Sequence, residues 1–238
     1  MTESPSPVAI VTGARKGIGR FLAERLLSQG YTVVAASRHP CEWAADGLVD
    51  LPSDVTNEQA VRALVKEVVA RTGRVDVLLN NAGAASMNHA LLTPLDTFNR
   101  LVQTNLIGTW LMSREVIKVM QRRKFGRIVN VSSIAVPFRL EGQAAYVASK
   151  AAVEALSQVM AREVAELGIT VNVIGATPVA TDMTRGIPAE TMDRLVARLP
   201  IRRLGTLEDV AGVLDFFLAP GNGAVTGQIV YLGGVPNI

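Results

Sequence analysis

Cysteine is almost missing from this 238-residue chain, with Cys41 the only one. No disulfide can form within the chain, so the fold has to rest on its core, and the pattern suits the cytoplasm or another reducing compartment. Aromatic residues make up 5% and histidine occurs twice. A nucleic-acid-binding surface carries a basic stripe with interleaved aromatics. Here the net charge is +3, and Arg122-Arg123-Lys124 is the one basic block, which argues against nucleic acid as a partner. No His, Cys and Asp residues stand at metal-ligand spacing, so no metal is expected. Long hydrophobic runs are missing as well. The uncharged run 77–95 contains Asn80, Asn81, Gly83, Asn88, His89 and Pro94, too polar for a membrane span. Residues 1–7 lack the apolar centre of a signal peptide.

What is present describes a globular protein. Apolar residues reach 49% and charged ones 19%, and a chain of this length hides roughly 70% of its unfolded surface. Short apolar runs alternate with helical periodicity. Strands are expected at 8–11, 32–36, 48–51, 75–79, 127–131, 169–174 and 228–232. Helices are expected at 18–28, 58–71, 94–121, 146–167, 190–198 and 207–218. That alternation predicts an α/β fold: one Rossmann-type, doubly wound domain over 1–238, with a mostly parallel sheet and helices on both faces. The stretch 39–47 is too short for a full crossover helix. In such sheets ligands sit beyond the carboxyl ends of the strands, so motifs that directly follow strands gain weight.

One of these is Thr12-Gly13-Ala14-Arg15-Lys16-Gly17-Ile18-Gly19. Glycines between a strand and a helix let the backbone turn tightly and let the free helix amides approach a pyrophosphate. After the second strand, Ser37-Arg38 stands where an acidic residue would hold the ribose 2′-hydroxyl of NAD. With no acid there, and with Arg15 and Arg38 suited to grip a phosphate, the sequence favours NADP(H) over NAD(H).

Tyr146-Val147-Ala148-Ser149-Lys150 puts a phenol and an ammonium on one helix face. A nearby ammonium stabilises a phenolate and brings Tyr146 toward the working range of a general acid for carbonyl reduction. Ser132-Ser133 ends a strand 13 residues earlier, where a hydroxyl can hold an oxygen on which charge develops. Asn80-Asn81-Ala82-Gly83 ends another strand, and Asn105 interrupts the apolar face of the long helix. Taken singly, these also read as turn chemistry or as a back-bonded helical Asn.

Taken in order, the residues resemble the short-chain dehydrogenase/reductase family. The resemblance runs from Val8 to Gly234 and adds Asp54-Val55 and Thr181-Asp182-Met183. It implies a seven-stranded sheet, a nicotinamide cofactor and a catalytic tetrad of Asn105, Ser133, Tyr146 and Lys150. Ser133 and Tyr146 would hold the carbonyl oxygen, Lys150 would lower the Tyr146 pKa and bind ribose, and Asn105 would hold a relay water. Gly13, Arg15, Gly17, Ile18, Gly19, Ser37, Arg38, Asp54, Val55, Asn81, Ala82 and Gly83 would hold the cofactor with Tyr146, Lys150, Val179 and Thr181. A homotetramer, or a dimer, built through the two long helices is also implied.

Within the family, Gly126-Arg127-Ile128-Val129-Asn130 and the segment 168–173 resemble the 3-oxoacyl-(acyl-carrier-protein) reductase group. Lys124 fits that group's basic docking residues, and Leu167 does not. Three departures point to a specialised branch: Ala176-Thr177 in place of Pro-Gly, Tyr231-Leu232-Gly233-Gly234 in place of Asp-Gly-Gly, and the trimmed 39–47 connection. The expected substrate walls are Ala135, Phe138, Leu140, Gln143 and Met183, with a loop over about 182–198 as a lid. The leading expectation is an NADPH-dependent carbonyl reductase acting on a small ketone. The alternatives are a 3-oxoacyl-thioester reductase and a catalytically silent NADP(H)-binding regulator.

Overall fold

The computed structural model describes residues 6–180 and 189–236. The apolar run Val8–Thr12 forms β1 and leads through a glycine turn into α1, Gly17–Ser28. β2 is Thr32–Ala36 and β3 is Leu48–Asp50. No helix occupies the connection between them, in line with its length. α2, Glu58–Thr72, is capped by the Asn57 side chain, which accepts from the Ala60 amide, and stops at left-handed Gly73. β4 is Val77–Asn80.

The long helix expected over 94–121 forms in three parts: α3 at Leu95–Val102, one π turn at Gln103–Ile107, and α4 at Gly108–Met120. β5, Gly126–Ser133, leads into α5, Ala135–Phe138, a short turn of helix that periodicity alone did not reveal. α6, Ala144–Val164, β6, Ile169–Ala176, α7, Ala189–Ala197, α8, Leu207–Leu218, and β7, Ile229–Tyr231, complete the chain.

All strand pairs are parallel, in the order β3-β2-β1-β4-β5-β6-β7. Alternate side chains of β1 feed two cores. Val8 and Ile10 pack with residues of α2, α4 and α6. Ala9 and Val11 pack with Leu22, Ala23 and Leu26 of α1 and Val210, Leu214 and Phe217 of α8. Helices therefore cover both faces, as the alternation predicted. The strand order reverses between β1 and β4, so a crevice opens at their carboxyl ends.

Candidate active site

The crevice is a cleft of about 780 Å³. Its walls include Gly13, Arg15, Gly17, Ile18, Gly19, Ser37, Arg38, Asp54, Val55, Asn81, Ala82 and Gly83, so the structure gathers these expected cofactor residues from four separate segments. The glycines have steric reasons to be there. Gly13 and Gly17 have φ of 69° and 60°. A methyl group on Gly19 would collide with the Gly13 carbonyl and the Asn81 amide. Thr12 ties the two loops together: its hydroxyl accepts from the Asn81 and Ala82 amides, both at 3.0 Å. The Asn81 side chain returns the tie by donating to the Thr12 carbonyl at 3.0 Å. The buried hydroxyls of Ser37 and Ser53, both from cleft-lining residues, have no protein partner. An elongated polar group with phosphate and ribose oxygens fits this lining: bare backbone at one end, hydroxyls and arginine at the other.

Arg15 and Arg38 differ in how they are held. Arg15 is ion-paired with Glu42. The trimmed connection folds back over the phosphate loop, where the Trp43 indole donates to the Ala14 carbonyl at 3.2 Å and the Arg20 guanidinium lies 5.5 Å from the Trp43 ring. Arg38 is exposed. Asp54 begins an Asx turn, accepting from the Thr56 amide and hydroxyl. Val179 is buried in a parallel bridge with Gly205, and the neighbouring Ala180 lines the cleft. Thr181 and Met183 lie outside the described residues, as do positions 182–188 of the expected lid; the remainder of that lid is α7 and the turn after it.

Of the expected tetrad, Asn105 and Lys150 lie behind Gly83 of the cleft wall, and Ser133 and Tyr146 lie beside each other. Ser133 ends β5, and its oxygen accepts from the Ala135 amide at 3.1 Å. That hydroxyl lies beside the Tyr146 phenol and interacts with it. Lys150, one turn further along α6, donates from Nζ to the Val131 carbonyl at 2.7 Å. Gly83 connects tetrad and cleft, because its missing side chain would sit 3.3 Å from Asn105 Oδ1 and 3.5 Å from Lys150 Nζ.

Burial raises the Tyr146 pKa, and the Ser133 hydrogen bond opposes that rise. Lys150 was expected to lower it; the group seen to oppose the rise is Ser133, while Lys150 Nζ is held by the Val131 carbonyl. Burial brings Lys150 down to about 8, with Glu154 pulling the other way.

The π turn explains Asn105. An extra residue per turn rotates its side chain inward, to complete burial. The amide accepts from Ala84 N at 2.8 Å and donates to Ala84 O and Ser149 Oγ at 3.0 and 2.9 Å. Both amide hydrogens are taken by protein, so the side chain serves as a strut between the π turn, Ala84 and α6.

The expected substrate walls are dispersed. Ala135 is buried at the start of α5. Phe138 packs on Ile134, Leu199 and Val235 and carries the Arg198 guanidinium on its ring. Gln143 caps α6. Leu140 lines a second cavity of about 810 Å³ with Glu154 and Tyr231. Lys124 sits two residues before β5, at the end of that strand opposite Ser133, and so cannot flank the mouth of this site in the same chain. Thr12, Ser149 and Glu154 carry structural work that sequence reading did not assign, since each acts through a partner distant along the chain.

Comparison with known proteins agrees with this geometry. The family profile described as Enoyl-(Acyl carrier protein) reductase matches residues 13–234. The 3-oxoacyl-(acyl-carrier-protein) reductase FabG of Vibrio cholerae is 34% identical over 233 residues, covering 95% of this chain and 96% of that protein. The structure of ElxO with NADP bound superposes with a TM-score of 0.89 at 30% identity, covering 96% of this chain and 98% of ElxO. The ligand-free aldohexose dehydrogenase of Thermoplasma acidophilum gives 0.88 at 29%, covering 97% and 93%.

Proposed function

Because the chain belongs to the short-chain dehydrogenase/reductase family, we propose that this oxidoreductase uses NADP(H) to reduce the ketone of a 3-oxoacyl thioester. Similarity to FabG along nearly the whole chain moves the weight from a free ketone, the leading sequence expectation, to the thioester. The observation that carries the reading is Tyr146 beside Ser133, with Lys150 one helical turn away and, behind Gly83, next to a cleft shaped for a dinucleotide.

NADP(H), when bound, supplies hydride at its nicotinamide ring. The phosphate loop and the Asn81–Gly83 turn would hold it, with Arg38 and Arg15 at the 2′-phosphate end. Ser133 holds the carbonyl oxygen by a hydrogen bond. Tyr146 gives its phenolic proton to that oxygen as the carbonyl carbon becomes a secondary alcohol. Lys150, while an ammonium, stabilises the phenolate left behind. With its pKa at about 8, reduction should fall away as pH rises past that range.

NADPH oxidation tests the proposal, with acetoacetyl-CoA against crotonyl-CoA and simple ketones. The proposal requires acetoacetyl-CoA to be consumed in preference, and Tyr146→Phe to bind NADPH yet lose at least a hundredfold in turnover, the lower range for general acid catalysis. Preference for crotonyl-CoA would make it an enoyl reductase. Tight NADPH binding with no turnover of any carbonyl would make it a regulator.

The assembly proposed with this function is a homotetramer, or a dimer, through α4 and α6. Trp110 on α4 is 38% exposed and Val159 on α6 is 54% exposed, which supports an apolar contact there. Light scattering that gives the monomer mass would refute it.

A further inference from the structure

Directly behind Lys150 lies a buried carboxylate that the reaction above does not use. Glu154 follows Lys150 by one turn of α6, on the same face, and each is 6% exposed. Its two oxygens are held from two strands. Ser132 Oγ of β5 donates to Oε1 at 2.5 Å, and the Tyr231 phenol of β7 donates to Oε2 at 2.7 Å. The residue before Ser132 is Val131, whose carbonyl anchors Lys150 Nζ. One short piece of β5 therefore fixes both the ammonium and the carboxylate. The clamp depends on Tyr231 and on the Gly175 beneath it, where any side chain would strike the Tyr231 ring.

We propose that Glu154 is a positioning residue: its carboxylate, clamped by Ser132 and Tyr231, keeps Lys150 in the ammonium form beside Tyr146. This rests on the reading of Tyr146 and Lys150 as the reacting pair.

A buried carboxylate costs stability unless it is hydrogen-bonded or paired. Burial raises Glu154, while Ser132, Tyr231 and Lys150 draw it back toward the charged form. Lys150 is the full positive charge acting on it, and Glu154 is the charge that opposes the burial of Lys150. The groups facing Glu154 are Lys150 on α6, Ser132 on β5 and Tyr231 on β7; Arg139, Glu141 and His89 line the cavity that Glu154 borders.

The test compares Glu154→Gln and Glu154→Asp with the parent enzyme in two measurements: the pH profile of kcat/KM for NADPH-driven reduction of acetoacetyl-CoA, and the side-chain NMR titration of Lys150. Glutamine keeps the shape and hydroxyl partners and removes the charge. The alkaline limb and the Lys150 titration should both move down by about one pH unit, a tenfold loss at fixed alkaline pH. Aspartate should recover part of the shift. Tyr231→Phe, which loosens the clamp but leaves the carboxylate, should move both in the same direction by less. A loss of rate equal at every pH, with Lys150 titrating as in the parent, overturns the proposal. If Glu154→Gln does not fold, an unshifted titration in Tyr231→Phe overturns it. Tyr146→Phe separates the two readings: an active Tyr146→Phe refutes the site itself, whereas an inactive one with an unshifted Glu154→Gln profile refutes only the role of Glu154.

Discussion

Arg15 is paired with Glu42, while Arg38 stands exposed at the end of β2. A 2′-phosphate arriving at this end meets one available guanidinium and one it must draw away from a carboxylate. Arg38→Ala should therefore raise the KM for NADPH by about tenfold, the loss of one charge-assisted contact, and leave that for NADH nearly unchanged. Glu42→Gln should lower the NADPH value by freeing Arg15. Steady-state kinetics with both cofactors checks the pair, and equal effects on NADH and NADPH would remove these residues from the phosphate site. The arginines were legible in the sequence because each directly follows a strand. Glu42 was not: it lies 27 residues from Arg15, on a connection whose path depends on Trp43 docking against Ala14.

Helix ends obey local rules, and α8 shows them most fully. Thr206 accepts from the Asp209 amide at 3.1 Å and Asp209 accepts from the Thr206 amide at 2.8 Å, closing a capping box. Arg203 grips the same carboxylate through two bonds of 2.6 and 2.8 Å. Thr206→Ala should cost about 1 kcal/mol, a Tm drop of roughly 2–4 °C for a chain of this size. Arg203 and the Thr206 backbone hold the Asp209 carboxyl well below the usual carboxylate range. Its contribution is thus present above the ordinary aspartate pKa of about 4 and fades as pH falls toward the folded value. Thermal melts of parent and Asp209→Asn should converge in acid; a difference that persists there would contradict the pairing. Caps and stops such as Asn57, Gly73 and Gly168 could be read from sequence alone because they act within a few residues. The π turn could not. Its residues, Gln103–Ile107, continue a helical pattern without a break, and the turn is held by tertiary bonds from Asn105 to Ala84 and Ser149.

Across the molecule, two of the three departures from the family pattern, Ala176-Thr177 and 231–234, prove to be neighbours. Tyr231 lies over Gly175. Thr177, buried in place of the usual glycine, packs against Gly205 and Gly233, and neither glycine has room for a side chain beside it. Bulk gained at one position is matched by glycine at another. Gly175→Ala should then lower stability by about 1–3 kcal/mol through overpacking. The same change made on top of Tyr231→Val should cost little, a coupling that a double-mutant cycle measured by denaturant unfolding will show or refute. Read one by one along the chain, these substitutions point only to a specialised branch; in space they pack against one another. The parallel sheet, the helices on the crossovers other than β2–β3, the glycine loop and the Tyr146–Lys150 pair follow from patterns local in the chain: apolar runs, helical spacing, and glycines after strands. Their physical causes act over a few residues, so a sequence displays them. The inward turn of Asn105, the Glu42 clasp on Arg15, the position of Lys124 far from Ser133, and the Glu154 clamp behind Lys150 depend on which segments the sheet order brings together. Those contacts join residues tens of positions apart, and a linear pattern carries no record of them until the strands are paired.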